Sequence, residues 1–195
     1  AGASLCDRTH AEEGREKSPG PLVIVTDVTA GLQRLAARYR EGWSGLMIGV
    51  TGSSGKTTTK DLVASVLEAA APTLKTLGNL NNHWGVPLTL LGLRPEHQAA
   101  VVEMGMNHAG EIAALAALAR PSAAVITNSG TAHLEHLGSL EAIAREKASL
   151  AAGCVCVPCL TSIIVCPAAH DGLLICGTAG RVAEWLKAPD SKSGL

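Results

Sequence analysis

The fold is decided by one stretch, Leu46-Met47-Ile48-Gly49-Val50-Thr51-Gly52-Ser53-Ser54-Gly55-Lys56-Thr57-Thr58. A short apolar run leads into a Gly-rich turn, and a helical pattern follows over residues 56–70. The same alternation continues along the chain, with strands predicted over residues 99–103 and 123–127 and helices over 111–119 and 140–150. Upstream, residues 22–25 are β-prone, and apolar residues recur at helical spacing from Leu32 to Tyr39. Strands that alternate with helices predict an α/β fold, with a mostly parallel sheet and helices on both faces.

The Gly-rich turn has the residues of a phosphate-binding loop. Gly52 and Gly55 allow the backbone to turn tightly, so that successive N–H groups can face an anion at the positive end of the following helix. Lys56 can then reach the β- and γ-phosphates of a nucleotide, and the Thr57 hydroxyl can bind Mg²⁺. Val50 replaces the first glycine of the common pattern. The alternative is an ordinary strand-to-helix turn, which the flanking elements and the Lys-Thr pair disfavour. The predicted ATP-binding residues are Gly52, Ser53, Ser54, Gly55, Lys56, Thr57 and Thr58.

A carboxylate closes the second predicted strand, where Ala100-Val101-Val102 is followed by Glu103. Ligands of open parallel sheets bind beyond the carboxyl ends of the strands, and the phosphate loop lies at the same edge. An acid at this place holds Mg²⁺ in many phosphoryl-transfer sites. Glu103 is therefore a predicted Mg²⁺ ligand, and the alternative is a solvated acid at a strand end.

Four stretches in the same order resemble motifs of the Mur ligases. They are T-G-S-S-G-K-T-T at 51–58, G-N-L-N-N-H-W-G-V-P-L-T-L at 78–90, E-M-G-M-N-H-A-G-E-I at 103–112 and N-S-G-T-A-H-L-E at 128–135. The resemblance spans about residues 20–150. The second and third stretches are most similar to the branch of the family that adds a dipeptide.

The resemblance implies an ATP-dependent amide ligase of peptidoglycan precursor synthesis. ATP would phosphorylate the carboxylate of UDP-N-acetylmuramoyl-tripeptide, and the amine of D-Ala-D-Ala would displace the phosphate. Carried over by position, the metal ligands would be Thr57, Glu103 and His133, the substrate-binding residues Asn79, Asn81 and Asn82, and the catalytic residues Lys56, His133 and Lys147.

Lys147 aligns with a lysine that family members carry as a carbamate, which would supply an anionic oxygen to Mg²⁺. The family's K-G-E-I reads Lys147-Ala148-Ser149-Leu150 here. Taken singly, the three asparagines could be turn and cap residues, His133 a surface residue and Lys147 a solvated lysine. Two other functions stay open. One is another ligase of this superfamily, such as a folylpolyglutamate-type enzyme, and the other is a non-catalytic ATP-binding module.

The predicted organisation has four parts. Residues 1–20 are expected to be a disordered leader, and 21–45 a linker or remnant of an N-terminal UDP-binding domain. Residues 46–150 are the central ATP-binding domain. Residues 151–195, with a C-x-C-x-x-C stretch at 154–159, are predicted to be an unrelated or frameshifted tail. From these boundaries we expect the chain to be a fragment that binds Mg-ATP weakly and does not complete ligation.

Charge and hydropathy exclude some partners. The 195 residues carry a formal net charge of −1, and their basic residues are scattered, which disfavours nucleic acid. No apolar run approaches the length of a membrane span, so no membrane insertion is expected. We expect a cytoplasmic monomer.

Overall fold

The computed structural model describes residues 3–154, 162–165 and 174–177, with side chains over 3–154. Strands and helices alternate as the sequence predicts. The elements are β1 (Ser4–Asp7), α1 (Ala11–Lys17), β2 (Leu22–Val25), α2 (Val28–Glu41), β3 (Leu46–Thr51), α3 (Lys56–Glu68), β4 (Thr73–Lys75), α4 (Gly85–Leu91), β5 (Ala99–Glu103), α5 (Glu111–Ala119), β6 (Ala123–Ile126), α6 (Leu134–Leu137), α7 (Leu140–Ala152), β7 (Ser162–Val165) and β8 (Leu174–Gly177).

Within the described residues, the main sheet has six strands in the order β4-β5-β3-β6-β7-β8. The first five run parallel to their neighbours, and only β8 is antiparallel to β7. Every residue of β5 is buried, as expected for a strand covered on both faces. The predicted α/β fold with a mostly parallel sheet is therefore confirmed.

Two apolar clusters cover the two faces of the sheet. The larger draws residues from α2, α4, α5 and α7, including Ala36, Leu90, Ile112 and Ile143. The smaller lies under α3, where Ala64 meets Val50, Val101 and Val125. The helix that follows the phosphate loop thus packs on this second face of the sheet, and its first turn lies at the carboxyl end of β3, as a phosphate site requires.

The prediction of a disordered segment over residues 1–20 is wrong. β1 pairs in parallel with β2, with Ser4 opposite Leu22, and α1 fills the connection between them. The Asp7 carboxylate accepts hydrogen bonds from the backbone N–H groups of Thr9 and His10, which fixes the turn into α1. Strand pairing of this kind satisfies backbone groups through a partner far along the chain, so a polar composition did not reveal it.

The predicted boundary between a linker and the central domain at residue 45 does not match the packing. Ala36 of α2 and Trp43 belong to the larger core cluster. The Arg40 guanidinium donates to the carbonyls of Ala119 and Arg120, at the end of α5. Residues 28–45 are therefore an integral part of the domain.

The predicted boundary at residue 150 falls too early. α7 continues to Ala152, and β7 pairs in parallel with β6, with Ile163 opposite Ala124. Parallel pairing with the central sheet shows that 162–165 extends the domain. The C-x-C-x-x-C stretch at 154–159 lies mostly outside the described residues.

Candidate functional site

The phosphate loop has the backbone shape that the glycines predict. A side chain at Gly52 would overlap the hydroxyl of Thr127, so only glycine fits between the loop and the end of β6. Gly55 lies in the left-handed region at φ 76° and leads into α3. α3 begins at Lys56, so the first turn of the helix and its unpaired N–H groups face the edge of the sheet. This arrangement is suited to binding an anion.

The end of β6 holds the loop in place through Asn128. Its Oδ1 accepts hydrogen bonds from the backbone N–H groups of Ser53 (3.1 Å) and Ser54 (3.0 Å), and its Nδ2 donates to the carbonyl and the hydroxyl of Ser54. The Thr127 hydroxyl also donates to the Ser54 carbonyl at 2.6 Å. Gly130 N–H donates to the Ser53 hydroxyl at 2.8 Å. The loop is therefore preformed by side chains from a neighbouring strand end.

Lys56 lies folded back on the loop, where its Nζ donates to the Gly52 carbonyl at 2.7 Å. Burial lowers the pKa of Lys56, and the negative charge of Glu103 works in the opposite direction. The negative charge of the strand-end acid thus reaches the lysine, as the predicted nucleotide site requires.

Glu103 ends β5 with a side chain that is only 1% exposed. Its Oε1 accepts a hydrogen bond from Asn81 Nδ2 at 2.8 Å, and its backbone N–H donates to Thr76 Oγ1 at 3.0 Å. Its buried Oε2 has no hydrogen-bond partner among the described residues. A buried carboxylate oxygen without a partner is costly, and a hard cation would stabilise it. Glu103 therefore fits the predicted role of Mg²⁺ ligand.

Lys147 projects from α7 with 1% of its side chain exposed, and its Nζ likewise lacks a partner in the described part of the chain. Burial lowers its pKa from 10.5 to about 8, and the charge of Lys56 adds to the effect. His133 has a positive φ of 70° at the start of α6. Its pKa is lowered by burial and then by the charges of Lys147 and Lys56. Two lysines and a histidine whose charged form is disfavoured thus lie close together beside the loop.

One cavity of about 420 Å³ brings five of the thirteen predicted site residues together, namely Lys56, Asn79, Asn81, Asn82 and His133. It is lined by Lys56, Asn79, Asn81, Asn82, His83, Gly105, Met106, Asn107, His108, Glu111 and His133. Thr57, Glu103 and Lys147 do not line it. The exposed Thr57 lies on the first turn of α3, and Glu103 and Lys147 lie in the protein interior.

Several residues that build the site were not predicted. Asn128 lies in one of the four Mur-like stretches, but the sequence does not predict its contact with Ser54, because the two residues are 74 positions apart. Glu146 reaches from α7 to α5, where its carboxylate accepts from the N–H groups of Gly110 and Ile112, both at 2.8 Å. The only sequence signal for Glu146 was its place beside Lys147. The described residues include no cluster of three or more His, Cys, Asp or Glu side chains that could hold a metal. None of the helices described is long and apolar enough to cross a membrane.

Known proteins carry the same sequence patterns. The sequence model of the Mur ligase middle domain matches residues 50–163. The UDP-N-acetylmuramoyl-tripeptide–D-alanyl-D-alanine ligase of Escherichia coli is 48% identical over 93 residues, which cover 48% of this chain and 21% of the relative. The enzyme of the same name from Bacillus subtilis is 48% identical over 95 residues, or 49% of this chain and 21% of the relative. The matched part thus spans about a fifth of these relatives.

Solved structures agree with the sequence matches. MurF from Acinetobacter baumannii superposes with a TM-score of 0.70 at 43% identity, covering 76% of this chain and 32% of that one. The MurF ligase of Thermotoga maritima, solved in complex with ADP, gives a TM-score of 0.71 at 26% identity, covering 85% and 47%. Since the family match takes in more than half of the 195 residues and contains the phosphate loop, this chain belongs to the Mur ligase family through its middle domain.

Proposed function

We propose that the chain carries the nucleotide-binding part of an ATP-dependent amide ligase that adds D-Ala-D-Ala to UDP-N-acetylmuramoyl-tripeptide. The observation that carries the proposal is the single cavity lined by Lys56, His133 and the three asparagines Asn79, Asn81 and Asn82. Cationic groups that can hold phosphate and polar groups that can hold a second substrate share one space there. A bacterial cytoplasm, where such nucleotide-linked precursors would be made, is the compartment that we propose.

The nucleotide end of the cavity is built to receive phosphates. The N-terminus of α3 favours negative charge, and Lys56 can exchange its bond to the Gly52 carbonyl for a phosphate oxygen. Thr57, Glu103 and His133 would hold Mg²⁺, which would neutralise charge on the transferring phosphoryl group. The unpartnered Oε2 of Glu103 supports this assignment.

Lys147 supports a further part of the proposal. An amine reacts with carbon dioxide only in its neutral form, and a pKa of about 8 leaves an appreciable neutral fraction near neutral pH. The ammonium group would first lose one proton. The neutral nitrogen would then form a bond to the carbon of CO₂ as one C–O π bond breaks, and it would lose a second proton, which leaves a carbamate anion in place of the cation. That anion would relieve the repulsion among Lys56, His133 and Lys147, and it would supply an oxygen ligand for Mg²⁺.

The chemistry follows from placing two anions together. A substrate carboxylate oxygen attacks the γ-phosphorus while ADP leaves, and the D-Ala-D-Ala amine then attacks the acyl carbon while phosphate leaves. Carboxylate and ATP repel each other, so the site must neutralise charge and align the reactants. Lys56 and the backbone N–H groups of the phosphate loop neutralise charge. The loop that carries Asn79, Asn81 and Asn82 aligns the reactants.

The test is a pair of calorimetric titrations of the full chain, first with a non-hydrolysable Mg-ATP analogue and then with UDP-N-acetylmuramoyl-tripeptide. We expect both to bind, and we expect the corresponding muramoyl dipeptide to bind more weakly than the tripeptide. Equal affinity for the dipeptide and the tripeptide would indicate that the chain belongs to another ligase of the family. Nucleotide binding without affinity for either peptide would favour a non-catalytic nucleotide-binding module.

A further inference from the structure

A second buried lysine lies one helical turn beyond Lys56, on the same helix. Lys60 is 2% exposed, and its Nζ donates to the carbonyl of Thr76 at 2.9 Å and lies 3.5 Å from that of Gly78. Its nearest carboxylate, Asp61 Oδ1, is 3.4 Å away on a half-exposed side chain. Burial of an ammonium group is unfavourable unless its N–H groups donate hydrogen bonds. The contacts with the two carbonyls are therefore the main interactions that stabilise the buried ammonium group.

The carbonyls that Lys60 contacts belong to the loop of residues 76–82, hereafter the asparagine loop. From Leu77 to Leu80 every residue of this loop is exposed, so apolar burial contributes little to its placement. Besides Lys60, Thr76 and Asn81 tie the loop to the protein. A long cationic side chain from α3 therefore anchors a loop that lacks a core of its own.

The asparagine loop in turn holds the end of β5. Thr76 Oγ1 accepts from the Glu103 N–H at 3.0 Å, and Asn81 Nδ2 donates to Glu103 Oε1 at 2.8 Å. The Asn81 carbonyl accepts from Gly105 N–H, also at 2.8 Å. A chain of contacts thus runs from the phosphate-loop helix, through Lys60 and the loop, to the strand-end acid.

We propose that Lys60 is a positioning residue, which sets the asparagine loop against the phosphate loop so that a substrate held by the asparagines faces the nucleotide. This inference rests on the proposed function, because it assigns the second substrate to the same cavity. Alignment of reacting groups is sensitive to small displacements, and a shift of about 1 Å can cost on the order of a hundredfold in rate. Lys60 touches no substrate in this scheme.

The experiment compares Lys60→Met, Lys60→Arg and the control Lys75→Met in the full chain. Lys75 also pairs with Asp61, at 3.3 Å, but contacts neither carbonyl of the loop. Each variant is titrated with the non-hydrolysable Mg-ATP analogue and then with UDP-N-acetylmuramoyl-tripeptide. Amide hydrogen exchange of residues 76–82 is measured in parallel without ligand.

In Lys60→Met we expect nucleotide affinity within about threefold of the unsubstituted chain, and tripeptide affinity at least about tenfold lower. Exchange should rise at least about tenfold in the asparagine loop but not in β3 or β6. Lys60→Arg keeps a cationic donor, so it should return the tripeptide affinity and the loop exchange most of the way to their values in the unsubstituted chain. Lys75→Met should change neither the affinity nor the exchange. If Lys60→Met does not fold, Lys60→Gln takes its place, with the same expectations.

Two results would overturn the inference while leaving the proposed function intact. One is a Lys60 variant with unchanged tripeptide affinity and unchanged loop exchange. The other is an equal loss of both affinities, which would mean a general structural role. If the unsubstituted chain binds no tripeptide, the loop exchange and its rescue by arginine decide the inference. If it binds no nucleotide, the proposed function itself fails.

Discussion

Two parts of the site, the phosphate-loop side and the side of the buried residues Glu103 and Lys147, differ in how their polar groups are partnered. On the phosphate-loop side, Asn128 bonds to the backbone of Ser53 and Ser54, and Lys56 bonds to the Gly52 carbonyl. On the other side, Glu103 Oε2 and Lys147 Nζ, neither of which lines the cavity, are buried without partners within the described residues. Buried polar groups in native proteins are rarely left without a hydrogen-bond partner unless a water molecule or an ion binds them.

This difference separates two tasks. The loop side is preorganised, so binding a phosphate there requires little rearrangement of the backbone. The side of Glu103 and Lys147 lacks groups of its own that would stabilise its charges, so it is the place where a cation and a carbamate would contribute most. If this is correct, substitutions on the two sides should have different signatures in stability and in binding.

The largest expected effect concerns the pH dependence of stability. The folded-state pKa of Lys147 is about 8, below its ordinary value of 10.5, so between these values the unfolded chain binds more protons. The free energy of unfolding should therefore rise with pH across this window, by up to about 3 kcal/mol, and be flat below it as far as Lys147 is concerned.

Denaturant unfolding of the unsubstituted chain and of Lys147→Met, in buffers free of carbon dioxide, measures this effect as a difference between two curves. Cys154 has a pKa raised to about 11 and also titrates near this range, but it is common to both proteins and cancels. If the free energies of unfolding of the two proteins change with pH in parallel, the pKa of Lys147 is not lowered by folding.

A matched pair of acids sharpens the comparison. Glu146 has both oxygens bonded to the N–H groups that begin α5, whereas Glu103 has one oxygen unpartnered. We expect Glu146→Gln to lower the free energy of unfolding by about 2 kcal/mol, since a charge-assisted hydrogen bond is lost. Glu103→Gln should change stability by less than about 1 kcal/mol, since a neutral amide relieves the unpaired charge. If thermal or denaturant unfolding shows the same loss of unfolding free energy in Glu146→Gln and Glu103→Gln, the two acids do not differ in how well they are partnered.

A smaller effect is expected at Asn128. Asn128→Ala removes the side chain that fixes Ser53 and Ser54, so the loop must be ordered by the ligand instead. We expect Mg-ATP affinity to fall about tenfold, which corresponds to about 1.4 kcal/mol. Calorimetry measures the affinity, and Asn107→Ala, at an exposed asparagine that lines the cavity, is the control. Unchanged or tighter binding in Asn128→Ala would mean that the asparagine competes with phosphate.

The features that the sequence predicts well are local ones. β3, β5 and α5 follow from apolar runs and their turn residues, and the turn between β3 and α3 follows from Gly52 and Gly55. The role of this turn in phosphate binding stays a prediction. The positions that sequence patterns missed depend on distant partners. Asn128 acts 74 positions from Ser54, and Lys60 acts through carbonyls that any residue would supply.

The errors at the two ends have the same origin. β1 has few apolar residues, and its pairing with β2 cannot be inferred from composition. β7 lies among cysteines that suggested a change of sequence type, yet it pairs in parallel with β6. α4 was also missed, because Pro87 within Gly85–Leu91 weakens a helical pattern although it lies in the first turn, where proline is tolerated.

The measurement that tests the account most directly is calorimetric titration of Mg-ATP into the full chain and into Lys56→Ala, with Lys75→Ala as the control. We predict saturable binding to the unsubstituted chain and to Lys75→Ala, and a loss of at least about a hundredfold in Lys56→Ala, because a partly buried cation beside the phosphates has no substitute in the loop. Equal affinity in Lys56→Ala would contradict the assignment of Gly52–Thr58 as the phosphate site, and no binding to any of the three proteins would contradict the proposed nucleotide function of this chain.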